Sequence, residues 1–189
     1  MTTITIQAFV EEIIAIHAQG TATEHSYRAP LQSLLQAFTI DGHVQNEPKQ
    51  IRGVGAVDFS VRNSNGLPIA HIEAKDISVD LREKKGRNAE QRARYLKAYS
   101  NLAYTNGVEW DFYRDGKLID TVRIADHLMG IQPLEDEFLR LENRLRDFLS
   151  QLPERISSPE FLAKRMSAKA LIIKDALSHS LDADKESKD

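Results

Sequence analysis

The stretch "GAVDFSVRNSNGLPIAHIEAKD", residues 55–76, decides the fold of this chain. It contains two runs of alternating apolar and polar residues on either side of an Asn-Gly dipeptide at positions 65–66, a strong signal for a tight hairpin turn. Side chains two positions apart share one face of a strand, so Glu73 and Lys75 are expected side by side. A hairpin would bring Asp58, from the first run, alongside this pair.

The alternation also predicts which side chains each strand turns to the same side. We expect Val57, Phe59 and Val61 to share one face of the first strand. Asp58 then lies on the opposite, polar face. The second strand turns its small apolar residues to one side and its charged pair to the other.

The composition describes an ordinary globular protein. The chain has 189 residues, of which 41% are hydrophobic and 28% are charged. It contains no cysteine, which excludes disulfides and thiolate metal sites and agrees with a cytoplasmic protein. The amino-terminal residues lack the pattern of a signal peptide or a membrane span. Because the net charge is −3, any nucleic-acid site must be a local basic patch.

Periodicity predicts the remaining elements. Helices are expected over residues 6–18, 21–38, 89–99, 133–152 and 158–181, and further strands over 101–105, 108–114 and 117–124, with a short strand opening the stretch 43–53. Pro30 should kink the second helix or restart it as a first-turn proline. We therefore expect an α/β core over residues 1–130, a helical extension over 131–181 and a disordered tail over 182–189.

The cluster of Asp58, Glu73 and Lys75 has the groups needed to hydrolyse a phosphodiester. Mg²⁺ and Mn²⁺ prefer carboxylate oxygens, and a metal so held activates water and offsets charge on a phosphate. Lys75 could orient or deprotonate that water, or stabilise the phosphate in the transition state. The plainer interpretation of a Glu-x-Lys pair is two solvated charges at the rim of a sheet, which contribute little.

The arrangement resembles the PD-(D/E)XK nuclease superfamily. The stretches "GAVDFSVRNSNGLPIAHIEAKDISVDL" and "EQRARYLKAYSNLAYTNGVEWDFYRDGKL" are similar to the amino-terminal nuclease domain of type ISP and related single-chain restriction–modification enzymes. The resemblance covers residues 23–124, and one departure is Val57, where that family usually has proline. It implies a restriction-endonuclease-like core, with a central mixed β-sheet flanked by helices, followed by a carboxy-terminal helical hairpin.

The resemblance also implies roles for individual residues. Asp58 and Glu73 match the family's metal ligands, Lys75 matches its catalytic lysine, and Gln91 matches a helical glutamine of the active site, paired with Tyr95. Gln91 and Tyr95 are i and i+4, so they leave one face of their helix. The plainer interpretation of Tyr95 is that it is a core residue. Glu24 matches a helix-borne glutamate that approaches the same metal, and its alternative role is to interact with the helix dipole.

Basic residues around this cluster are candidates for DNA contacts. Arg28 is expected to touch a phosphate. The segment from Arg82 to Lys97 adds Lys84, Lys85, Arg87, Arg92 and Arg94, which form either a solvated face or a set of backbone contacts. Among the histidines, we expect His71 to pack or support the site, His25 to contact DNA or support the site, and His17 to be a core residue.

A narrow apolar seam runs along the helix expected over residues 133–152. Its members are Leu134, Phe138, Leu141, Leu145, Phe148 and Leu152. It would pack on the final helix and the flank of the core, form part of a helical coupler to a further domain as in the family, or mediate self-association.

The sequence therefore predicts a Mg²⁺-dependent DNA endonuclease domain of a restriction–modification system, with Mn²⁺ as a substitute. The expected partners are double-stranded DNA, a methyltransferase or translocase region in the same or a partner chain, and a second copy of this chain. One alternative is an inactive nuclease-fold module that binds DNA or a partner. Another is an interaction protein built around the leucine seam, in which the three site residues would lie far apart.

Overall fold

A computed structural model describes residues 4–50, 54–127 and 130–150, and these form an α/β fold. The helices are α1 (Ile6–Ala18), α2 (Arg28–Phe38), α3 (Arg87–Ala98) and α4 (Phe138–Leu149). The strands are β1 (Gly42–Asn46), β2 (Phe59–Asn63), β3 (Pro68–Ala74), β4 (Asn101–Thr105), β5 (Glu109–Arg114), β6 (Lys117–Arg123), β7 (Ala125–Asp126) and β8 (Gln132–Pro133). Short 3-10 helices cover Glu24–Tyr27 and Glu135–Glu137.

Six strands form one mixed sheet in the order β1-β2-β3-β4-β5-β6. All neighbours are antiparallel except β3 and β4, which are parallel and joined through α3. Parallel neighbours need such a crossover, whereas antiparallel neighbours can be joined by tight turns. The mixed sheet confirms the α/β class and the predicted hairpin, whose turn has Gly66 at φ +74°. Strands β7 and β8 form a separate antiparallel pair.

The two faces of the sheet are covered differently. Helices α1, α2 and α4 pack on one face, where Phe9, Leu34 and Leu141 join Ile72 and Phe112 in the main core. Helix α3 covers part of the other face with Tyr95, and Tyr99 follows directly after the helix; both pack in a cluster with tyrosines of β4 and β5. Glu73 of β3 therefore lies on the face of the sheet that α3 covers.

The prediction that Val57 shares a face with Phe59 and Val61 is wrong. Val57 packs in the cluster beneath α3, whereas Phe59 and Val61 lie in the main core on the opposite side. The strand begins only at Phe59, and the chain bends at Asp58, between Val57 and the strand. The two-residue alternation of an extended strand therefore does not reach back across Asp58 to Val57.

Two helices begin several residues later than predicted. Residues 24–27 are a 3-10 turn, and Pro30 lies in the first turn of α2, which confirms the restart alternative for that proline. Helix α4 begins at Phe138 and not at residue 133, because Pro133 pairs with Ala125 in β8 and the Leu134 amide donates to the Ile124 carbonyl. These backbone bonds hold the segment extended.

The apolar seam packs on the core of this chain. Leu141, Leu145 and Phe148 are buried in the main cluster, and α4 contacts α1, α2 and β3. This agrees with packing on the flank of the core. Leu152, the helix predicted over residues 158–181 and the tail from residue 182 lie outside the described residues. Among the helices that the structure describes, none has the length and apolarity needed to cross a membrane.

A glycine fixes the loop that leads into β2. Gly55 has φ +110°, and a Cβ there would lie 2.9 Å from the Tyr95 hydroxyl. We predict that Gly55→Ala lowers the free energy of unfolding by about 1–3 kcal/mol, since backbone strain and a steric clash add together. Chemical denaturation measures this decrease.

Gly66→Ala is the matched control for this change. Gly66 also has a positive φ, of +74°, but nothing lies within 4 Å of an added Cβ. We expect it to cost about 1 kcal/mol from backbone strain alone. Equal decreases in the two variants would contradict the steric part of this account.

Candidate active site

Asp58 lies immediately before β2 and is buried, with 9% of its surface exposed. Its Oδ2 atom accepts a hydrogen bond of 2.8 Å from the Ala74 amide, at the end of β3. Its Oδ1 atom contacts the Arg28 guanidinium at 2.5 Å. The carboxylate of Asp58 thus lies beside the end of the strand that carries Glu73, as the predicted hairpin implies, although Asp58 itself precedes the strand.

Glu73 is more deeply buried, with 3% of its surface exposed. Its Oε1 atom accepts a hydrogen bond of 2.6 Å from Lys75 Nζ, while its Oε2 atom is buried and has no hydrogen-bond partner among the described residues. Burial and the nearby Asp58 raise the pKa of Glu73 to about 7, against the opposing effect of Lys75. A carboxylate oxygen in this state is poorly satisfied by the protein alone.

Lys75 follows the last residue of β3 and is held in place from both ends. Its backbone amide donates to the Thr105 carbonyl, and its side chain, 11% exposed, contacts Glu73. The three residues that the sequence brings forward therefore meet at the end of one hairpin. This contradicts the interaction-protein alternative, which requires them to lie far apart.

Helix α3 supports the loop that carries Asp58. The Tyr95 hydroxyl donates a hydrogen bond of 2.5 Å to the Ala56 carbonyl, and Gln91 Nε2 lies 3.4 Å from the same hydroxyl. Burial and the charge of Glu73 raise the pKa of Tyr95 to about 12. Gln91 and Tyr95 thus share a face of the helix, as predicted, and the described contacts connect Gln91 to Tyr95 and not to the carboxylates.

Arg28 contacts three carboxylates. One edge of its guanidinium binds Asp58 and lies 3.5 Å from Glu24 Oε1, and its Nη1 atom lies 2.5 Å from Glu47 Oε1. Its side chain is only 14% exposed. The sequence predicts a phosphate contact for Arg28, and in this structure its partners are acidic side chains of the protein.

Carboxylate oxygens such as those of Asp58 and Glu73 are the ligands that hard divalent cations prefer. Among the described residues, no three His, Cys, Asp or Glu side chains are grouped so that they could hold a metal ion. Glu24 therefore does not complete a three-residue set with Asp58 and Glu73, although its charge contributes to the raised pKa of Glu73. Mg²⁺ commonly takes one or two protein carboxylates and completes its shell with water and phosphate. The unpaired Oε2 atom of Glu73 is consistent with such a ligand.

The basic residues after β3 fall into two groups. Arg92 donates to the carbonyls of Leu81 and Glu83, so it ties the loop before α3 to that helix. The other four predicted DNA-binding residues, Lys84, Lys85, Arg87 and Arg94, are exposed. Arg82 binds Glu109 and Asp111 and anchors the same loop to β5. The loop is thus fixed by its own contacts and presents several cations to solvent.

The sequence predicts roles for three histidines, and the structure gives the surroundings of each. The His71 ring stacks on Tyr99 with centroids 4.2 Å apart, which confirms its packing role. His17 was predicted to be a core residue, but it is exposed because it lies beyond the buried stripe of α1, and its Nδ1 atom is 3.3 Å from the Tyr27 hydroxyl. His25 is exposed, and its role stays a prediction.

No pattern in the sequence identifies two further residues that lie near the site. Glu47 binds Arg28, and its amide donates to the Asp58 carbonyl, although its loop "NEPK" shows no periodicity. Tyr104 pairs in register with Glu73, and its buried hydroxyl has no hydrogen-bond partner among the described residues. Burial and the charge of Glu73 raise the pKa of Tyr104. Only the parallel register of β3 and β4 could have identified it.

Comparison with known proteins places the fold. No protein-family model and no curated protein matches the chain. Among solved structures, it is similar to a cryo-EM structure of a DrdV–DNA complex, with a TM-score of 0.59 and 20% sequence identity. The match covers 78% of this chain and 14% of that chain. The mixed six-stranded sheet with flanking helices is consistent with a restriction-endonuclease-like core, which confirms the predicted fold class.

The burial of Glu73 predicts an unusual dependence of stability on pH. The native state holds the proton of Glu73 up to about pH 7, whereas the unfolded chain releases it near 4.5. Unfolding free energy without divalent ions should therefore fall by about 3 kcal/mol as the pH rises through this window, and then level off. Glu73→Gln, which carries no titrating group, should lack this fall and be more stable than the parent at pH 8.

Urea denaturation with a chelator, at pH 4.5, 6 and 8, measures the effect. Glu135→Gln is the control, because Glu135 is exposed and its removal should leave the pH dependence unchanged. Parallel pH profiles for the parent and Glu73→Gln would contradict the raised pKa.

Proposed function

We propose that this chain is a metal-dependent DNA endonuclease domain of the PD-(D/E)XK type that acts within a restriction–modification system. The observation that carries this proposal is the buried pair of carboxylates, Asp58 and Glu73, with the Lys75 ammonium against one of them and the Glu73 Oε2 atom left without a partner among the described residues. Two buried carboxylates that repel each other carry a free-energy cost, and a bound cation would offset it.

Charge balance supports a divalent partner. Four carboxylates, from Glu24, Glu47, Asp58 and Glu73, surround two cations, Arg28 and Lys75, so the cluster has an excess of two negative charges when all are ionised. Asp58 and Glu73 would hold Mg²⁺, or Mn²⁺ in its place, with Glu24 acting on it only through charge. A divalent ion held there would supply a Lewis acid for the phosphate and lower the pKa of the attacking water.

The chain's own residues would do the positioning. Glu73 holds the Lys75 ammonium at 2.6 Å, so the cation is fixed beside the carboxylate pair and can orient the attacking water or offset charge on the phosphate. Tyr95 holds the Asp58 loop through the Ala56 carbonyl. We assign Gln91 a supporting catalytic role from the same helix, next to Tyr95.

Double-stranded DNA is the proposed substrate. The chain is similar in fold to a protein solved as a DNA complex. Lys84, Lys85, Arg87 and Arg94 are exposed around the loop that follows the site, and contacts from these residues would bind phosphates without reading sequence. Arg28 would add a phosphate contact next to the carboxylates. A methyltransferase or translocase region, in the same or a partner chain, and a second copy for a double-strand break complete the proposed system.

One observation favours an alternative, a module that binds DNA or a partner without cutting. Arg28 holds Asp58 Oδ1, as a structural ion pair would in a retired site. The two functions differ in metal dependence, because only the nuclease needs a divalent ion for turnover. DNA binding that does not respond to metal, with no cleavage, would favour the module.

Cleavage of supercoiled plasmid in Mg²⁺ or Mn²⁺ tests the proposal. We predict nicking by the parent chain and a decrease of at least about 100-fold in Asp58→Asn, Glu73→Gln and Lys75→Met, because each change removes a ligand or the catalytic cation. Circular dichroism checks that the variants fold.

Lys117→Met is the matched control for Lys75→Met. Lys117 is an exposed lysine on the edge strand β6, so its variant should cut at the parental rate. Undiminished cutting by Lys75→Met, or cutting that persists in excess chelator, would refute the assignment.

Salt dependence of DNA binding tests the basic loop. If Lys84 and Lys85 each bind one phosphate, the double change to alanine should weaken binding to all sequences. It should also reduce the slope of log K against log salt by about 0.9 for each phosphate that is no longer neutralised. Fluorescence anisotropy with a short duplex at four salt concentrations measures both effects.

A double change of equal charge provides the comparison. Lys117→Ala with Arg146→Ala removes two exposed cations from β6 and α4. It should leave the slope near the parental value. Equal reductions in the two double variants would mean that binding follows net charge and not the loop.

A further inference from the structure

The two site carboxylates differ in how fully the protein satisfies them. Glu73 presents one oxygen to Lys75, and its other oxygen has no hydrogen-bond partner in the described part of the chain. Asp58 has both oxygens engaged, Oδ2 by the Ala74 amide and Oδ1 by the Arg28 guanidinium. A cation bound by both residues would therefore contact the Glu73 oxygen that has no partner and the Asp58 oxygen that Arg28 already contacts.

Arg28 and a divalent ion cannot share Asp58 Oδ1 at low cost. The Nη2 atom lies 2.5 Å from this oxygen, so a metal ion on the same oxygen would lie within a few ångströms of the guanidinium. Like charges at such a separation repel strongly in a site that excludes most water. Since Asp58 is buried, bulk solvent screens this repulsion only weakly.

Arg28 has other acidic partners to which it can move. Glu47 binds its Nη1 atom at 2.5 Å, and Glu24 lies 3.5 Å from its Nη2 atom. Glu47 is 69% exposed at its side chain, so it can follow the arginine. If Arg28 moved away from Asp58, its guanidinium would therefore still have an acidic partner.

We infer that Arg28 is the resident counter-ion of Asp58 and that a divalent cation displaces it, an inference that rests on the proposed function. Arg28 is a positioning residue: it keeps Asp58 aligned without metal, and once displaced it turns the freed edge of its guanidinium to a DNA phosphate. Metal and DNA then strengthen each other's binding, because each favours the state in which Arg28 has left Asp58.

Calorimetric titration of the 189-residue chain with MnCl₂, without DNA, tests the competition. Arg28→Met should bind Mn²⁺ about tenfold more tightly than the parent, or better, because the competing charge is gone. Adding a short duplex should tighten Mn²⁺ binding by a larger factor in the parent than in Arg28→Met, because DNA phosphate can contact the metal in both proteins but displaces Arg28 only in the parent. A merely structural ion pair would alter the melting temperature and not the Mn²⁺ affinity.

Two further variants make the result specific. Arg144→Met removes the same charge from a pair with Asp120, which lies on β6, three strands from β3, and should leave Mn²⁺ affinity unchanged. Arg28→Met combined with Asp58→Asn should lose the gain, since the gain acts through Asp58. If Arg28→Met does not fold, Arg28→Lys decides, because one ammonium cannot hold Asp58 and Glu47 as the two guanidinium nitrogens do. Its Mn²⁺ affinity should exceed that of the parent.

The outcomes separate the two proposals. Equal Mn²⁺ affinity in the parent and in the folded Arg28 variant would overturn the competition and leave the nuclease assignment standing. No Mn²⁺ binding by either protein would overturn both. If the Arg28 variant binds Mn²⁺ more tightly than the parent does, the result supports both the competition and the nuclease assignment.

Discussion

The hydrogen bond from the Ala74 amide to Asp58 is the contact on which the arrangement of this site depends. It joins the loop before β2 to the end of β3, and it places a carboxylate close enough to raise the pKa of Glu73. Because Asp58 precedes its strand, no ladder bond of the hairpin fixes the side chain, and the amide of the neighbouring strand does so directly. The carboxylate pair is thus a product of backbone geometry at the end of the hairpin.

The rest of the fold supports that contact from two sides. Helices α1, α2 and α4 bury the apolar face of the hairpin, and α3 covers part of the other face with Tyr95. Tyr95 holds the Asp58 loop by its hydroxyl, and Gly55 leaves room for that hydroxyl. Arg28, at the start of α2, brings a cation to the carboxylates from the opposite direction. The site is therefore formed by elements that are distant in sequence.

Local sequence patterns predict most of the helices and strands, and they fail where contacts between distant residues determine the backbone. The Asn-Gly turn and the alternation of β3 were sufficient to predict the hairpin and to pair Glu73 with Lys75. The same alternation misplaced Val57, because the chain bends at Asp58 before the strand begins and this bend leaves no pattern in the sequence. Pro133 marked a helix start on propensity, yet its backbone pairs with β7. The contacts of Arg28 with Glu47 and Asp58 span 19 to 30 residues, so no periodicity could reveal them.

We propose above all that Asp58 and Glu73 hold one divalent cation between them. Anomalous diffraction from crystals soaked in Mn²⁺ tests it most directly, with Glu73→Gln crystals soaked in the same way. The account predicts one strong peak within about 2.5 Å of an oxygen from each carboxylate, absent in the variant, with Arg28 moved away from Asp58. Crystals that show no peak between the two carboxylates, and an Arg28–Asp58 pair unchanged by the ion, would contradict it.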